Sequence, residues 1–301
     1  MERADLERRL TAATSYDECV TALAKFFVAH HLVFGHGTDN ADDEAFWLLR
    51  HLQNWRDHAW AEKPDRALLA TAVEIAERRV TERKPLAYLL GEACFAGLRF
   101  EVDARVLVPR SPLAEVIERG FAPWSELRDG DRVLDIGTGS GCLAIAAAVH
   151  LPGVSVDATD VSADALAVAM DNVALHRVEA RVRLYRADLF PPGREQYRVI
   201  MSNPPYVPAA EVPTLPAEYQ HEPAIGLAGG VSGFDPVVRI LEGARERMTS
   251  DGVLFVEVGA GAERFAAAYP RLPMIWLEFE RGGDGVFVVT AADLEAFRSR
   301  G

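Results

Sequence analysis

Asn203-Pro204-Pro205-Tyr206 is the segment of this sequence best suited to chemistry. Two successive prolines have a fixed φ and no N–H, so they impose a stiff extended turn and forbid helix. The Asn203 side-chain oxygen and the Pro204 carbonyl can each accept one N–H of a planar NH₂ group. The nitrogen of an amide or aniline-like NH₂ is a poor nucleophile, because its lone pair is delocalised into a π system. Two fixed acceptors hold it in line with an electrophilic carbon and stabilise the positive charge that develops during attack. The Tyr206 ring offers a flat surface for the planar group. The competing interpretation is a plain loop stop, with Tyr206 in the core.

A second cluster lies in VLDIGTGSGCLAI (133–145), where Gly137, Gly139 and Gly141 stand between a strand pattern and a helix pattern. Glycines there let the chain turn tightly and approach a ligand closely, although sharp strand-to-helix turns also use them for purely structural reasons. A dinucleotide fingerprint would place its third glycine at 142, where Cys142 stands. The spacing Gly137-Thr138-Gly139-Ser140-Gly141 is the GxGxG typical of methyltransferases. Acids follow at successive strand ends: Asp135 for a methionine ammonium, Asp160 for ribose hydroxyls, and Asp188 beside Leu189 for an adenine amino group. Each alone could be a solvated strand end or a helix cap. Together they suit S-adenosylmethionine, whose positive sulfonium favours a site rich in acceptors. An activated methyl donor needs neither a metal nor a covalent nucleophile.

The elements that must position these residues fall into two groups. Up to about residue 90 the periodicity is helical. Ser15 and Glu18 suggest a capping box, Asp39 or Asn40 a second cap, and Pro64 the opening of a third long helix. ACFAGLRFEVD reads as a hairpin around Ala96-Gly97, with Phe95, Leu98, Phe100 and Val102 apolar, and RVLVPRSP as an extended connector. Strand candidates at 132–136, 154–160, 180–188, 197–203 and 253–259 alternate with helical stretches, which predicts a doubly wound, mostly parallel α/β sheet. MIWLEFE and GVFVVT, joined across Arg281–Gly285, predict a terminal β-hairpin. The expected division is a helical domain over 1–90, a hairpin and connector over 91–118, and a Rossmann-like domain over 119–301.

Composition narrows the function classes. The net charge of 32 − 45 = −13 disfavours a nucleic-acid backbone and suits a basic partner such as a ribosomal protein. Cys19, Cys94 and Cys142 form no CxxC pair and read as reduced, mostly buried thiols. His30, His31, His36, His51 and His58 lack metal-ligand spacing, and no GxSxG appears. The aromatics at 46, 47, 55 and 60 read as a small helical core. No stretch is apolar over the length needed to span a bilayer, and the charged N-terminus lacks a signal-peptide core, so a cytoplasmic protein is expected.

With both motifs in view, the sequence resembles the HemK-like glutamine-N5 methyltransferases over nearly its whole length, through RVLVPRSP, VLDIGTGSG, ATD, ADLF, NPPY and HEPAIGLAGGVSGFD. FGHGTDN (34–40), PRSP (109–112), WLEF (276–279) and GGDGVF (282–287) resemble its PrmB-type branch, which methylates a glutamine of large-subunit ribosomal protein L-three. The resemblance implies a class I Rossmann-like methyltransferase fold preceded by a helical domain. It implies cofactor contacts at Gly137–Gly141, Asp160, Asp188, Leu189 and Asn203, and a glutamine pocket at Asn203–Tyr206, to which Leu107 is added. The release-factor branch reads PRPET or PRPDT where this chain has Pro109-Arg110-Ser111-Pro112, and often an aromatic where Leu189 stands. A release-factor glutamine methyltransferase, a DNA adenine-N6 methyltransferase and a non-catalytic ribosome-assembly factor stay open as alternatives.

Overall fold

A computed structural model describes residues 1–54 and 64–298, so Trp55, His58 and Trp60 lie outside the described residues. The chain divides into two compact units, one of Met1–Ala93 with Pro216–His221, the other of Cys94–Leu215 with Glu222–Gly301.

The first unit is helical: α1 (Arg3–Ala12), α2 (Tyr16–Ala29), α3 (Ala41–Leu52), α4 (Arg66–Glu82) and the short α5 (Leu86–Leu90). Its core is formed by Leu6, Leu10, Leu23, Phe27 and Leu48, with Trp47 buried and Phe46 on the surface. Ser15 caps α2 by accepting the Glu18 N–H, while the Glu18 carboxylate accepts from the Thr14 N–H at 2.6 Å. Of the two candidates Asn40 caps α3, and α4 opens two residues after Pro64 with Asp65 as its cap. Arg79 is fully buried. It donates to Glu44 at 2.7 Å, to the Val33 carbonyl at 3.0 Å and to Glu218 at 3.4 Å. Glu218 belongs to the short Pro216–His221 segment, which this buried pairing holds among the helices. Ion pairs this dry are costly to break singly, because the remaining charge is stranded away from water.

The second unit begins within a two-stranded ribbon, β1 (Glu92–Phe95) and β2 (Leu98–Glu101). Ala96 and Gly97 both have positive φ, the pairing a two-residue hairpin turn requires. Phe95, Phe100 and Val102 are buried and Leu98 is partly so. After the connector come α6 (Leu113–Glu118), β3 (Arg132–Ile136), α7 (Cys142–His150), β4 (Ser155–Asp160), α8 (Ala163–Leu175), β5 (Val182–Arg186) and β6 (Tyr197–Ser202). Then follow α9 (Ala224–Leu227), α10 (Asp235–Arg247), β7 (Met248–Glu257), α11 (Ala262–Ala268), β8 (Ile275–Trp276), β9 (Val286–Thr290) and α12 (Ala291–Arg298).

The seven-stranded sheet has the order β5-β4-β3-β6-β7-β9-β8. β3 through β7 run parallel, and β9 is antiparallel to both β7 and β8. This is the doubly wound, Rossmann-like sheet with a terminal hairpin, although β8 keeps only two residues of the apolar MIWLEFE run. Central strands are apolar on both faces because helices cover both, as Val133, Leu134, Val199, Ile200, Leu254 and Val256 show by their full burial. The strand order reverses between β3 and β6, so the crevice at their carboxyl ends is where such sheets bind ligands.

Candidate active site

Adjacent strands deliver the candidate residues to that crevice. Ile136 of β3 is in register with Ser202 of β6 and with Thr159 of β4. The glycine loop, Asp160 and Asn203 therefore emerge side by side. Asp160 is in register with Arg186 of β5, two residues before Asp188.

The loop is held by backbone bonds from Gly137 and Thr138 N–H to the Thr159 carbonyl, each 2.9 Å. Gly137 and Gly139 have φ of +74° and +55°, and a Cβ on either would meet nothing within 4 Å. Glycine is required there for conformation, and the space beside both is open. Asp135 is fully buried; one carboxylate oxygen accepts from the Thr138 hydroxyl at 2.6 Å and the Ala144 N–H at 3.2 Å. Its other oxygen has no hydrogen-bond partner. Burial pushes this carboxyl up to about 7, against the pull of the two donors and with a further push from Asp160. An orphaned buried acceptor is expensive unless a ligand donor reaches it. Ser140 is buried, and its carbonyl accepts from Asn172 on α8. Asp160 accepts from the Gly139 N–H at 2.9 Å and the Ser162 N–H at 2.8 Å, so it shapes the loop as well as ending β4.

Asp188 is placed differently. Its carboxylate is exposed and paired with Arg239 of α10 at 2.6 Å. Leu189 adopts φ of +68°, and its carbonyl accepts from the Thr159 hydroxyl at 2.6 Å. Of the three thiols only Cys19 is buried, Cys94 being exposed and Cys142 partly buried, so the expectation of mostly buried thiols fails; desolvation pushes the Cys142 thiol up to about 12.

The asparagine-proline turn is fixed from several sides. Asn203 Nδ2 donates to the Arg110 carbonyl at 3.4 Å, which leaves the side-chain oxygen as an acceptor. Pro204 is buried, Pro205 partly so. Tyr206 donates its hydroxyl to Glu257 at 3.2 Å, and Ser111 donates to the other oxygen of the same carboxylate at 2.6 Å. Glu257 ends β7 almost fully buried, and burial pushes it up to about 7 against the two hydroxyl donors and Arg110. The residues after β7 pass close: a Cβ on Gly259 would sit 2.8 Å from the Tyr206 ring. Residues 227–230 run along the turn's exit, with Val207 N–H bonded to the Leu227 carbonyl and Gly229 N–H to the Val207 carbonyl.

Sequence reasoning missed three residues here. Arg110 makes a bidentate pair with the buried Glu222 at 2.5 and 2.6 Å, and Glu222 also accepts the Val108 N–H. This clamp fixes the connector whose carbonyl orients Asn203. Glu222 sits within the HEPAIGL run, where its residue type alone assigns it no role; Glu257 is legible only as an acid closing an apolar strand. Leu107 packs at the Gly226 position, where a Cβ would meet it at 3.0 Å. Among the described residues no group of histidines, cysteines and carboxylates could hold a metal ion.

The methyltransferase small domain family matches residues 124–216, the span from the turn after α6 through the asparagine-proline turn. A Bordetella pertussis protein named ribosomal protein uL3 glutamine methyltransferase is 45% identical, over 88% of this chain and 91% of its own. A relative of the same name from Burkholderia pseudomallei is 44% identical, over 91% of this chain and 94% of its own. The chain belongs to the ribosomal protein uL3 glutamine methyltransferase family. It is accordingly a methyltransferase enzyme. Among solved structures, a methyltransferase from Pyrococcus furiosus is similar at 21% identity with a TM-score of 0.47, over 65% of this chain and 89% of that one. No helix among the described residues is long and apolar enough to cross a membrane.

Proposed function

We propose that this enzyme methylates the side-chain amide nitrogen of a glutamine on ribosomal protein uL3, with S-adenosylmethionine as methyl donor. The carrying observation is the asparagine-proline turn after β6, in register with the glycine loop after β3, in a chain whose relatives bear that name. The residues present fit the donor. Asp135 has a buried oxygen in need of a partner, and Gly137 and Gly139 leave open the space that side chains would fill. Asp135 and the loop from Gly137 through Thr138 and Ser140 to Gly141 would hold the methionine portion, Asp160 the ribose, and Asp188 with Leu189 the adenine. The bound donor supplies a methyl group already activated on a positively charged sulfur.

The chain's own task is to present the nitrogen. The Asn203 oxygen and the Pro204 carbonyl accept its two N–H groups, and Tyr206, Pro205 and Leu107 wall the amide plane. Both acceptors strengthen as positive charge develops on nitrogen, which is the property that accelerates the step. The helical unit serves to recognise the protein substrate. Transfer of labelled methyl to purified uL3, a peptide release factor and DNA separates the readings: label on uL3 supports this one, label on either other acceptor replaces it.

A further inference from the structure

Outside the catalytic crevice, the second unit carries a cleft of about 360 Å³ between α6, with the turn after it, and the segment that continues β8. Trp124, Trp276 and Phe279 line it, each partly exposed. Its charged groups are Glu115, Arg119 and Glu278. Glu115 is already engaged: it accepts the N–H groups of Glu280 at 3.1 Å and Arg281 at 2.7 Å, stitching the segment to α6. Arg119 pairs with Glu280 at 2.8 Å. Glu278 is exposed and has no ion-pair partner among the described residues.

The cleft is tied to the catalytic turn by a short path. Ser111 bonds the carboxylate that holds Tyr206, and its hydroxyl also accepts the N–H of Leu113, the first residue of α6. Aromatic rings beside a free carboxylate suit guanidinium or ammonium groups, which gain from the ring quadrupole and from the opposite charge. The occupant follows from charge. A second copy of a chain with net charge −13 would meet acids with acids. A ribosomal protein must neutralise RNA phosphates and is rich in the complementary residues.

We propose that this aromatic, acid-bearing cleft docks an arginine- or lysine-bearing segment of the protein substrate and so delivers its glutamine to Asn203. The proposal rests on the uL3 reading above and adds the place where substrate charge is read. Calorimetry of the full chain with a hexa-arginine peptide, and steady-state methylation of purified uL3, test it with Glu278→Lys and Trp124→Ala. Each variant is expected to weaken peptide binding and to raise KM for uL3 about two- to fivefold, with the loss in KM rather than kcat and with unaltered circular dichroism. Unchanged peptide Kd and KM in both folded variants overturns the proposal, as does a wild-type dimer in sedimentation that Glu278→Lys dissociates. If the wild type transfers no methyl to uL3, the substrate reading fails, and the peptide titration alone decides whether the cleft recognises basic chains.

Discussion

The chemistry reduces to where a few oxygen atoms point. Asn203 donates its Nδ2 to the backbone carbonyl of Arg110, which leaves its oxygen free to take the substrate N–H that the proposed reaction assigns to it. Asn203→Ala removes one of two acceptors and should lower kcat by about a hundredfold or more, the scale for losing one preorganised polar contact at a developing charge. Much of the cofactor binding, read by calorimetry, should remain, since Asn203 is one of several proposed cofactor contacts. Glu257 gives a prediction with a sign. Burial raises its folded-state carboxyl to about 7, above the ordinary value of 4.5, so the native state binds more protons than the unfolded state between those limits. Its contribution is fully present below the unfolded value and is lost as pH rises through about 7. Urea unfolding should therefore show Glu257→Gln gaining on the wild type from about pH 5 to about pH 8; a constant difference would count against a buried, reluctant carboxylate. Asparagine and tyrosine were legible from their types and spacing. Glu257 and Glu222 were not, because their partners lie 51 and 112 positions away in sequence.

At the scale of elements, strands and their carboxyl-end loops were readable because apolar runs and glycine punctuation are local signals. Pairing was not local: β8 keeps two residues of MIWLEFE, and the backbone beyond it bonds instead to the Glu115 carboxylate at Glu280 and Arg281. The end of β7 illustrates how one element constrains another. Gly259 has φ of +48° and lies against the Tyr206 ring, so a side chain there meets both backbone strain and an aromatic wall. Gly259→Ala should destabilise the protein by about 1–3 kcal/mol, measured by thermal or urea unfolding, and should lower kcat by displacing Tyr206. A variant with wild-type stability and turnover would show that the ring is free to move without cost.

Across the whole molecule, the chain divides at Ala93–Cys94, where helical periodicity gives way to the hairpin, and the hairpin and connector over 91–118 form no unit of their own. The return of Pro216–His221 to the helical unit could not be anticipated, since so short a segment downstream of the catalytic turn carries no periodic signal. Glu218 in that segment meets Arg79 and Arg83. Burial alone would raise its pKa, yet the Val33 N–H and those two guanidinium groups hold it below the ordinary value. Exchanging residues 1–93 for those of a release-factor enzyme should therefore cost about 3–5 kcal/mol by stranding Glu218, unless residues 216–221 are exchanged with them. The complete exchange should move methylation from uL3 to the release factor, and unchanged substrate preference would place recognition elsewhere.

Methyl transfer to a glutamine amide of uL3 through Asn203 can be read by peptide mass spectrometry of uL3 from cells lacking the gene, alone or complemented with wild type or with Asn203→Ala. With the wild-type gene only, one glutamine-bearing peptide is expected to be heavier by a single methylene. An identical uL3 peptide map in all three strains would contradict it.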